Sequence, residues 1–433
     1  MKAISALLRR NRFLDELLSI EGNAKYCILT LPFQMIVYSL YTPFASLYMK
    51  ELGLSDSQIG TVVTVGLISQ MASSFIGGMV TDKIGRRKSN LLFDAVAYVT
   101  SALLMAVAHN FWYFVIAQGF YGLFQASNNA WNGLIGEDCE TDKISLVFSG
   151  LQVIQLLTTF LAPIAIFFID RYDLVPTMRV IYGIATVTIS IKILLLYHYD
   201  HETEMGKRRM EETRDIPLYK MFAGYRGVLG IIFKTPATFL LLAIVIIANV
   251  ITVVCNNFFS LYISNTLGVS DAVVGYVPLV RAAILLLFMF GVQHWINSLP
   301  YKPVMIIGLL IYIVGFVSLI LARESLIGLY IYIPLEAVAY AFVMPRKDAL
   351  LTLFVDKHDR SKVFGMLYVI VLGVSAPFGS IIGALSDSNQ VYPLILVILL
   401  CMLGCLLVLF GRSDLRQGET EEAPAAAGEA QNK

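Results

Sequence analysis

The sequence predicts an all-α membrane protein in which twelve transmembrane helices form two parallel six-helix repeats. Three observations predict this fold class: an apolar composition, twelve apolar runs of spanning length, and a nine-residue sequence that occurs once in each half. Of 433 residues, 57% are hydrophobic and only 15% are charged, and the mean hydropathy is +0.72. Since a soluble domain is about 45–50% apolar and about 25% charged, most of this chain is expected to face a lipid bilayer.

The apolar runs fall into two equal groups. A helix that crosses a bilayer needs about 20 mostly apolar residues. Such runs start near residues 26, 57, 89, 111, 144, 175, 236, 272, 303, 326, 362 and 390. A charged linker separates the first six from the last six. The predicted boundaries are 1–24 for an amphipathic amino-terminal segment, 25–199 for the first bundle, 200–234 for the linker, 235–411 for the second bundle and 412–433 for a disordered tail.

The basic residues predict the orientation of the chain. Lys and Arg concentrate in the segments 82–88, 206–210 and 346–362, whereas the opposite loops carry almost none. Basic loops stay in the cytoplasm, so both termini and the linker are expected there. The amphipathic segment 1–24 is expected to lie on the membrane surface and not to be a cleaved signal. The chain has no Asn-x-Ser/Thr sequence, which fits a bacterial inner membrane, and we expect a multi-pass plasma-membrane protein.

The repeated sequence marks the internal symmetry. "LGLSDSQIG" at 52–60 and "LGVSDAVVG" at 267–275 both follow the first predicted helix of their half. The two halves therefore run in the same direction, because an even number of helices separates the copies. Parallel repeats of this kind place a binding site at their interface near the middle of the bilayer, where it opens alternately to each side.

The loop after the second predicted helix, "GMVTDKIGRRK" at 78–88, resembles the signature loop of the major facilitator superfamily. The residues that match are Gly78, Asp82, Lys83, Gly85, Arg86 and Arg87. The resemblance extends over about 25–411. It implies a twelve-helix transporter fold in which this loop forms a cytoplasmic gate, with the aspartate near the start of helix 11 and the arginines bridging neighbouring helices. A carboxylate at a helix amino terminus and a glycine in a tight turn suit that role.

Two other sequences typical of proton-coupled antiporters in that family are incomplete in this chain. The arginine expected in the fourth helix, three residues before Gln118, is Val115. A glycine expected in the fifth helix, before Pro163, is Thr158. The resemblance therefore does not imply a standard drug–proton antiport mechanism.

Two ionisable residues lie deep within predicted spans of the second half. Arg281 is about ten residues into the eighth helix and Glu336 about eleven residues into the tenth, so both lie about 15–17 Å from the membrane surface. An ionisable group at this depth costs about 2.5–3.5 kcal/mol or more, which makes a function the default hypothesis. The matching depths predict that the two side chains pair. They act in proton coupling or solute binding, or they form a static structural pair.

Polar side chains form stripes on several predicted helices. The resemblance implies that helices 1, 4, 7 and 10 line a central cavity, so we expect these stripes to face it, with two residues of helix 5. The alternative is that they bond neighbouring helices together. The candidate cavity residues are Gln34, Tyr38, Tyr41, Gln118, Tyr121, Gln125, Asn128, Asn129, Asn132, Gln152, Gln155, Asn249, Asn256, Asn257, Tyr332 and Tyr340.

The remaining polar groups predict no enzyme chemistry. Asp94 and Lys192 are interpreted as a local pair or as side chains that reach toward the membrane surface. The five cysteines form no CxxC pair and no zinc-type spacing, so neither a metal nor a cofactor is expected. We find no nucleophile–base constellation and no nucleotide-binding loop. The net charge of +1 offers no attraction for nucleic acid.

The expected function is therefore secondary active transport. We expect a monomer that moves a small organic solute through the lipid bilayer by alternating access, coupled to protons through Glu336, with a slight preference for efflux of drug-like compounds. An uptake carrier for a sugar-like or other nutrient is the first alternative. A membrane receptor on the same scaffold, without transport, is the second. A basic solute would pair with Glu336 and an anionic solute with Arg281.

Overall fold

The computed structural model describes residues 16–17, 19–140, 143–217, 236–292, 299–321, 326–353 and 360–410. Most of the predicted amino-terminal segment and all of the predicted tail lie outside these residues. The helices of the first half are α1 (Gly22–Glu51), α2 (Asp56–Ile84), α3 (Arg86–Ala106), α4 (Phe111–Tyr121 and Phe124–Gly136), α5 (Ile144–Tyr172) and α6 (Leu174–Tyr199). A linker helix, Glu204–Thr213, follows them.

The second half repeats the pattern. Its helices are α7 (Pro236–Asn257 and Phe259–Leu267), α8 (Asp271–Gly291), α9 (Tyr301–Leu321), α10 (Ile327–Leu353), α11 (Arg360–Ser388) and α12 (Tyr392–Phe410). We call the end of the bundle that carries the linker helix and the loop at 82–88 the linker side. The opposite end, where α2 begins and α11 ends, is the far side.

The predicted all-helical membrane fold is confirmed. Within the described ranges, ten helices are long and apolar enough to cross a membrane. One predicted span departs from that simple form, because α4 is divided between Tyr121 and Phe124. α8 is an apolar helix over the residues Val273–Phe288.

The repeated sequence contains the carboxyl-terminal end of one helix and the amino-terminal end of the next. Gly53 has a φ of 87°, and the amide of Leu54 reaches back to the Met49 carbonyl, which is the pattern of a glycine-terminated helix. Ser55 then begins α2 with a capping box formed with Gln58. In the second copy Gly268 is also left-handed, with a φ of 61°, and it ends α7.

Glycines allow α2 and α11 to approach each other closely on the far side. A Cβ added to Gly383 would lie 2.6 Å from the Asp56 carbonyl oxygen and 2.9 Å from the Gly60 Cα. The Thr64 hydroxyl donates to the Ala376 carbonyl at 2.9 Å across the same seam. Small residues at helix contacts let backbones pack and bond within the membrane. The first and second halves therefore touch directly at this end.

Gly383→Ala is expected to lower the melting temperature of the purified protein by several degrees, because the new methyl group forces α2 and α11 apart. Gly183→Ala in α6 is the matched control, since a Cβ there meets nothing within 4 Å. Alanine favours a helix over glycine by about 1 kcal/mol, so the control should be as stable as the parent or more so. Thermal unfolding in detergent compares the two, and an equally stable Gly383→Ala would contradict the close seam.

Candidate solute cavity

A cavity of about 820 Å³ lies between the two halves. Its wall comes from α1 and α5 of the first half and from α7, α8 and α10 of the second. Cavities of about 300–1,000 Å³ with a few polar groups are the usual size for small organic ligands. Six of the predicted residues lie on this wall: Tyr38, Gln152, Gln155, Asn256, Arg281 and Tyr340.

The other predicted polar residues lie elsewhere in the bundle. Tyr41 packs against Tyr182 with ring centroids 4.7 Å apart, and Asn257 donates to the Val253 carbonyl of its own helix. Gln34 and Tyr332 are buried in the bundle, and Asn249 is half-buried. None of the α4 residues lines the described wall. These are Gln118, Tyr121, Gln125, Asn128, Asn129 and Asn132; the last three are exposed.

The structure brings Arg281 and Glu336 together. The Arg281 Nε donates to Glu336 Oε2 at 2.7 Å. Glu336 keeps 2% of its side-chain surface accessible and Arg281 keeps 19%, so the carboxylate lies behind the guanidinium as seen from the cavity. On the same helix as Glu336, Tyr332 packs against Phe259 and Phe316. The pair therefore joins α8 to α10 and presents only its cationic member to the open space.

A second buried ion pair lies in the first half. Lys192 of α6 donates to Asp94 of α3 at 2.6 Å, and both side chains are under 5% exposed. The Ser127 hydroxyl of α4 also contacts Asp94. The pairing predicted for Asp94 and Lys192 is present, but it is buried rather than at the membrane surface. A lysine within the apolar run of α6 is the sequence signal that could have indicated this depth.

The described contacts of the signature loop lie within the first half and with the linker. Arg86 pairs with Asp82 at 2.9 Å and with Glu137 at the end of α4 at 3.0 Å. Arg87 donates to the Tyr197 carbonyl of α6 and lies over the Tyr197 ring. The arginines thus bridge helices, while Asp82 pairs with Arg86. Side chains at the start of α11, the predicted neighbour of Asp82, lie outside the described residues.

Glu202 was not singled out from the sequence, yet it holds the start of α3. Its carboxylate accepts from the Arg86 and Arg87 amides at 2.7 and 3.0 Å. Gly85 has a φ of 91°, and a Cβ there would come within 2.8 Å of the Glu202 side chain. Glycine at this position therefore permits both the turn and the cap. Lys83 donates to the Ile216 carbonyl of the linker, whereas Gly78 lies within α2.

A hydrogen-bonded latch closes the far side between the halves. The Asp387 carboxylate at the end of α11 accepts from the Asp56 and Ser57 amides at the start of α2, at 2.8 and 2.9 Å. Asp56 in turn accepts from Lys50 and from Ser386, both at 2.6 Å. A carboxylate suits the positive amino-terminal end of a helix. We call these contacts the far-side latch.

Asp200 is a buried carboxylate at the junction between α6 and the linker. Both of its oxygens lack a hydrogen-bond partner among the described residues, and 2% of the residue is exposed. Burial raises the pKa of Asp200 from 3.8 to about 7, although the nearby positive charges of Arg87 and Lys192 act in the opposite direction. This group therefore titrates near neutral pH.

The chain matches a family model described as Major Facilitator Superfamily over residues 27–255 and again over 249–431. It is 29% identical to the multidrug resistance protein MdtG of Salmonella dublin over 188 residues, which cover 41% of this chain and 45% of that protein. The chain thus spans about half the length of the curated relatives that it matches.

The fold resembles several solved structures. The nucleoside transporter NupG has a TM-score of 0.66 at 13% identity, with 90% of this chain and 98% of that chain covered. The D-xylose-proton symporter has a TM-score of 0.68 at 17% identity, with 89% and 96% covered. Likeness at this level of identity concerns the fold alone.

Asp387→Ala is expected to open the far side, because the Asp56 and Ser57 amides of α2 lose the carboxylate that accepts their hydrogen bonds. Loss of a helix cap costs about 0.5–2 kcal/mol, enough to shift a balanced equilibrium severalfold. To measure the separation of the halves, the five native cysteines are replaced, and His109→Cys and Tyr392→Cys carry spin labels for pulsed electron resonance. In Asp387→Ala the longer distances between the two labels should become more populated. Asp170→Ala, also on the far side, should leave the distribution unchanged; equal distributions in both variants would contradict the latch.

Stability is expected to depend on the protonation of Asp200. The folded chain holds the Asp200 proton up to about pH 7, whereas an exposed aspartate loses it near pH 3.8. Stability should therefore fall as pH rises from about 4 to about 7, by at most about 4 kcal/mol, and level off above. Asp200→Asn should abolish this fall and melt higher than the parent at pH 8. Asp138→Asn, an exposed control, should follow the parent curve; a flat parent curve between pH 5 and 8 would contradict the interpretation.

Proposed function

The chain belongs to the major facilitator superfamily, and we propose that it moves a small organic solute through the central cavity by alternating access, coupled to protons at Glu336. The repeat, the cavity between the halves and the far-side latch support alternating access. A cavity that lies between two halves can open on either side when they rock against each other. In the conformation described here the far side is closed.

The observation that carries the proposal is the ion pair on the cavity wall. A carboxylate enclosed by protein is stable in the membrane when it is paired with a cation or when it is protonated. Protonation of Glu336 removes its attraction for Arg281 and so weakens the link between α8 and α10. A proton that reaches Glu336 from the cavity therefore changes both the charge of the site and the contacts that hold it. Neither effect is expected of a pair that only supports the fold.

The side of the membrane follows from the positive charges. We propose that the linker side faces the cytoplasm, because the basic segments 82–88 and 206–210 lie there. Both termini would then be cytoplasmic, and the far-side latch would lie on the opposite side of the membrane. The proposed domains are the two bundles, 25–199 and 235–411, on either side of the linker. The described wall of the cavity is formed by residues of a single chain, which supports a monomer.

The direction of transport depends on how the proton and the solute share the site. Efflux against an inward proton gradient requires that each leaves before the other binds. Uptake with protons requires that both bind together. The name of the curated relatives, multidrug resistance proteins, supports efflux as the sequence slightly favours. The charges on the cavity wall are also relevant to the choice between efflux and uptake.

Glu336→Gln is expected to abolish solute-dependent proton flux. The protein would be placed in liposomes that contain a trapped pH dye, and sugars, drug-like cations and organic acids would be added in turn. The amide keeps the shape of the carboxylate but cannot exchange a proton, so flux should fall to the level of empty liposomes. Glu140→Gln, an exposed carboxylate paired locally with Lys143, is the control.

Two results would contradict the coupling role. Solute movement without proton flux in the parent would indicate a uniporter or a carrier coupled to another ion. Proton flux in Glu336→Gln equal to that of the parent would return the Arg281–Glu336 pair to a structural role.

A further inference from the structure

The two members of the cavity ion pair differ in how they meet the open space. Arg281 lies on the cavity wall, whereas Glu336 does not. Only the Nε of Arg281 is used in the bond to Glu336. Its two Nη nitrogens have no hydrogen-bond partner among the described residues, and 19% of the side chain is accessible. A guanidinium with free Nη donors is suited to bind a carboxylate or a phosphate in a two-pronged manner.

The rest of the wall offers nothing that would hold a cation by charge. Arg281 is the one Lys, Arg, Asp or Glu among the described residues that line the cavity. A cationic solute would therefore meet the guanidinium before it could reach Glu336. The polar groups that remain are neutral amides and hydroxyls, such as Gln152, Gln155 and Asn256. Phe259 and Tyr340 add aromatic surface for the body of the solute.

We propose that Arg281 is the binding site for an anionic group of the solute, and that a proton on Glu336 makes this site available. The proposal rests on the transport function proposed above and assigns its substrate class: an organic anion with an apolar or aromatic body. While Glu336 is ionised, the pair has no net charge. Protonation of Glu336 leaves one uncompensated positive charge on Arg281, which the anion neutralises. One proton and one negative charge are therefore bound together, without a net change in the charge of the site.

Other titratable groups around Glu336 do not share this role. Glu336 faces Arg281 from α8, Cys255 from α7 and Tyr312 from α9, with Tyr332 and Tyr340 on its own helix. Thiols and phenols are ordinarily neutral at neutral pH, and arginine stays charged. Glu336 is thus the only carboxyl group among these residues, and its protonation would leave the positive charge of Arg281 uncompensated.

The sign of the coupling follows from reciprocity. If a proton on Glu336 strengthens anion binding, the anion strengthens proton binding by the same factor. Solute and proton then occupy the site in the same state and cross in the same direction. This geometry favours uptake together with protons, the alternative considered above, over exchange of solute for protons.

The test uses three probes that share one ring system and differ in charge: 2-naphthoate, 2-naphthamide and the 2-naphthamidinium cation. Binding to the full chain in detergent is measured by calorimetry between pH 5.5 and 8, a range in which the charges of the probes themselves do not change. Naphthoate should bind in preference to the other two. Its affinity should rise by up to about tenfold per unit fall in pH where Glu336 titrates, as expected for uptake of one proton.

Substitutions of Glu336 and Arg281 distinguish the role of the carboxylate from that of the guanidinium. Glu336→Gln should bind naphthoate at least as tightly as the parent does at pH 5.5, with no dependence on pH. Arg281→Gln should lose the preference for naphthoate at every pH, and Arg281→Lys should retain part of it. The double variant Arg281→Gln/Glu336→Gln leaves no unpaired buried charge, so it guards against misfolding and should also show no preference.

Three outcomes would overturn the assignment: preferential binding of the amidinium, naphthoate binding that does not change with pH, or weaker naphthoate binding in Glu336→Gln. The liposome assay keeps the two proposals apart. Glu336-dependent proton flux driven by sugars or cations, with no naphthoate binding, would overturn the anion site and leave the transport proposal standing. Naphthoate binding with the expected pH dependence but no flux would support the site and overturn transport.

Discussion

A charge inside a bilayer must find its partner within the protein, and this constraint organises both halves of the molecule. Water is not available there to solvate a lone ion, and the carboxylates enclosed within the spans, Asp94 and Glu336, each lie against a cation. Asp94–Lys192 ties α3 to α6, and Arg281–Glu336 ties α8 to α10. Breaking such a pair by removal of one partner costs about 3–5 kcal/mol. Each half is therefore expected to move as a stiff unit.

The contacts between the halves are of a different kind. On the far side they consist of glycine-lined packing between α2 and α11 and of the far-side latch, whose acceptor Asp387 is exposed. Exposed caps contribute about 0.5–2 kcal/mol, less than a buried ion pair. The signature loop, in contrast, bonds to Glu137 and Tyr197 of its own half and to Glu202 of the linker. Buried ion pairs within each half, with close packing and helix caps between the halves, are compatible with rocking of the halves as units.

Features that depend on the periodicity of apolar residues and on the depth of a residue within its helix can be predicted from the sequence. Hydrogen-bond partners that are distant in the chain cannot, because the folded structure brings them together. The spans, the symmetry and the pairing of Arg281 with Glu336 follow from run length, repeat and matching depth. The roles of Asp387 and Glu202 do not, because each accepts from the backbone of a helix start that is distant in the chain or across a turn. The polar stripe of α4 shows a further limit: periodicity places residues on one face, but it does not indicate which neighbour that face meets.

The two buried pairs also show how one kind of bond serves two purposes. In the first half both members are enclosed, at 3% and 4% exposure, and Ser127 further occupies Asp94. No solute can reach such a pair, so its role is to hold helices together. In the second half the carboxylate is enclosed but the guanidinium is open to the cavity. The one charged side chain on the described cavity wall therefore comes from the second half, while α1 and α5 of the first half contribute neutral hydroxyls and amides. An arginine that is paired with an enclosed carboxylate and is also open to the cavity can stabilise the fold and, in the mechanism proposed above, respond to both proton and solute.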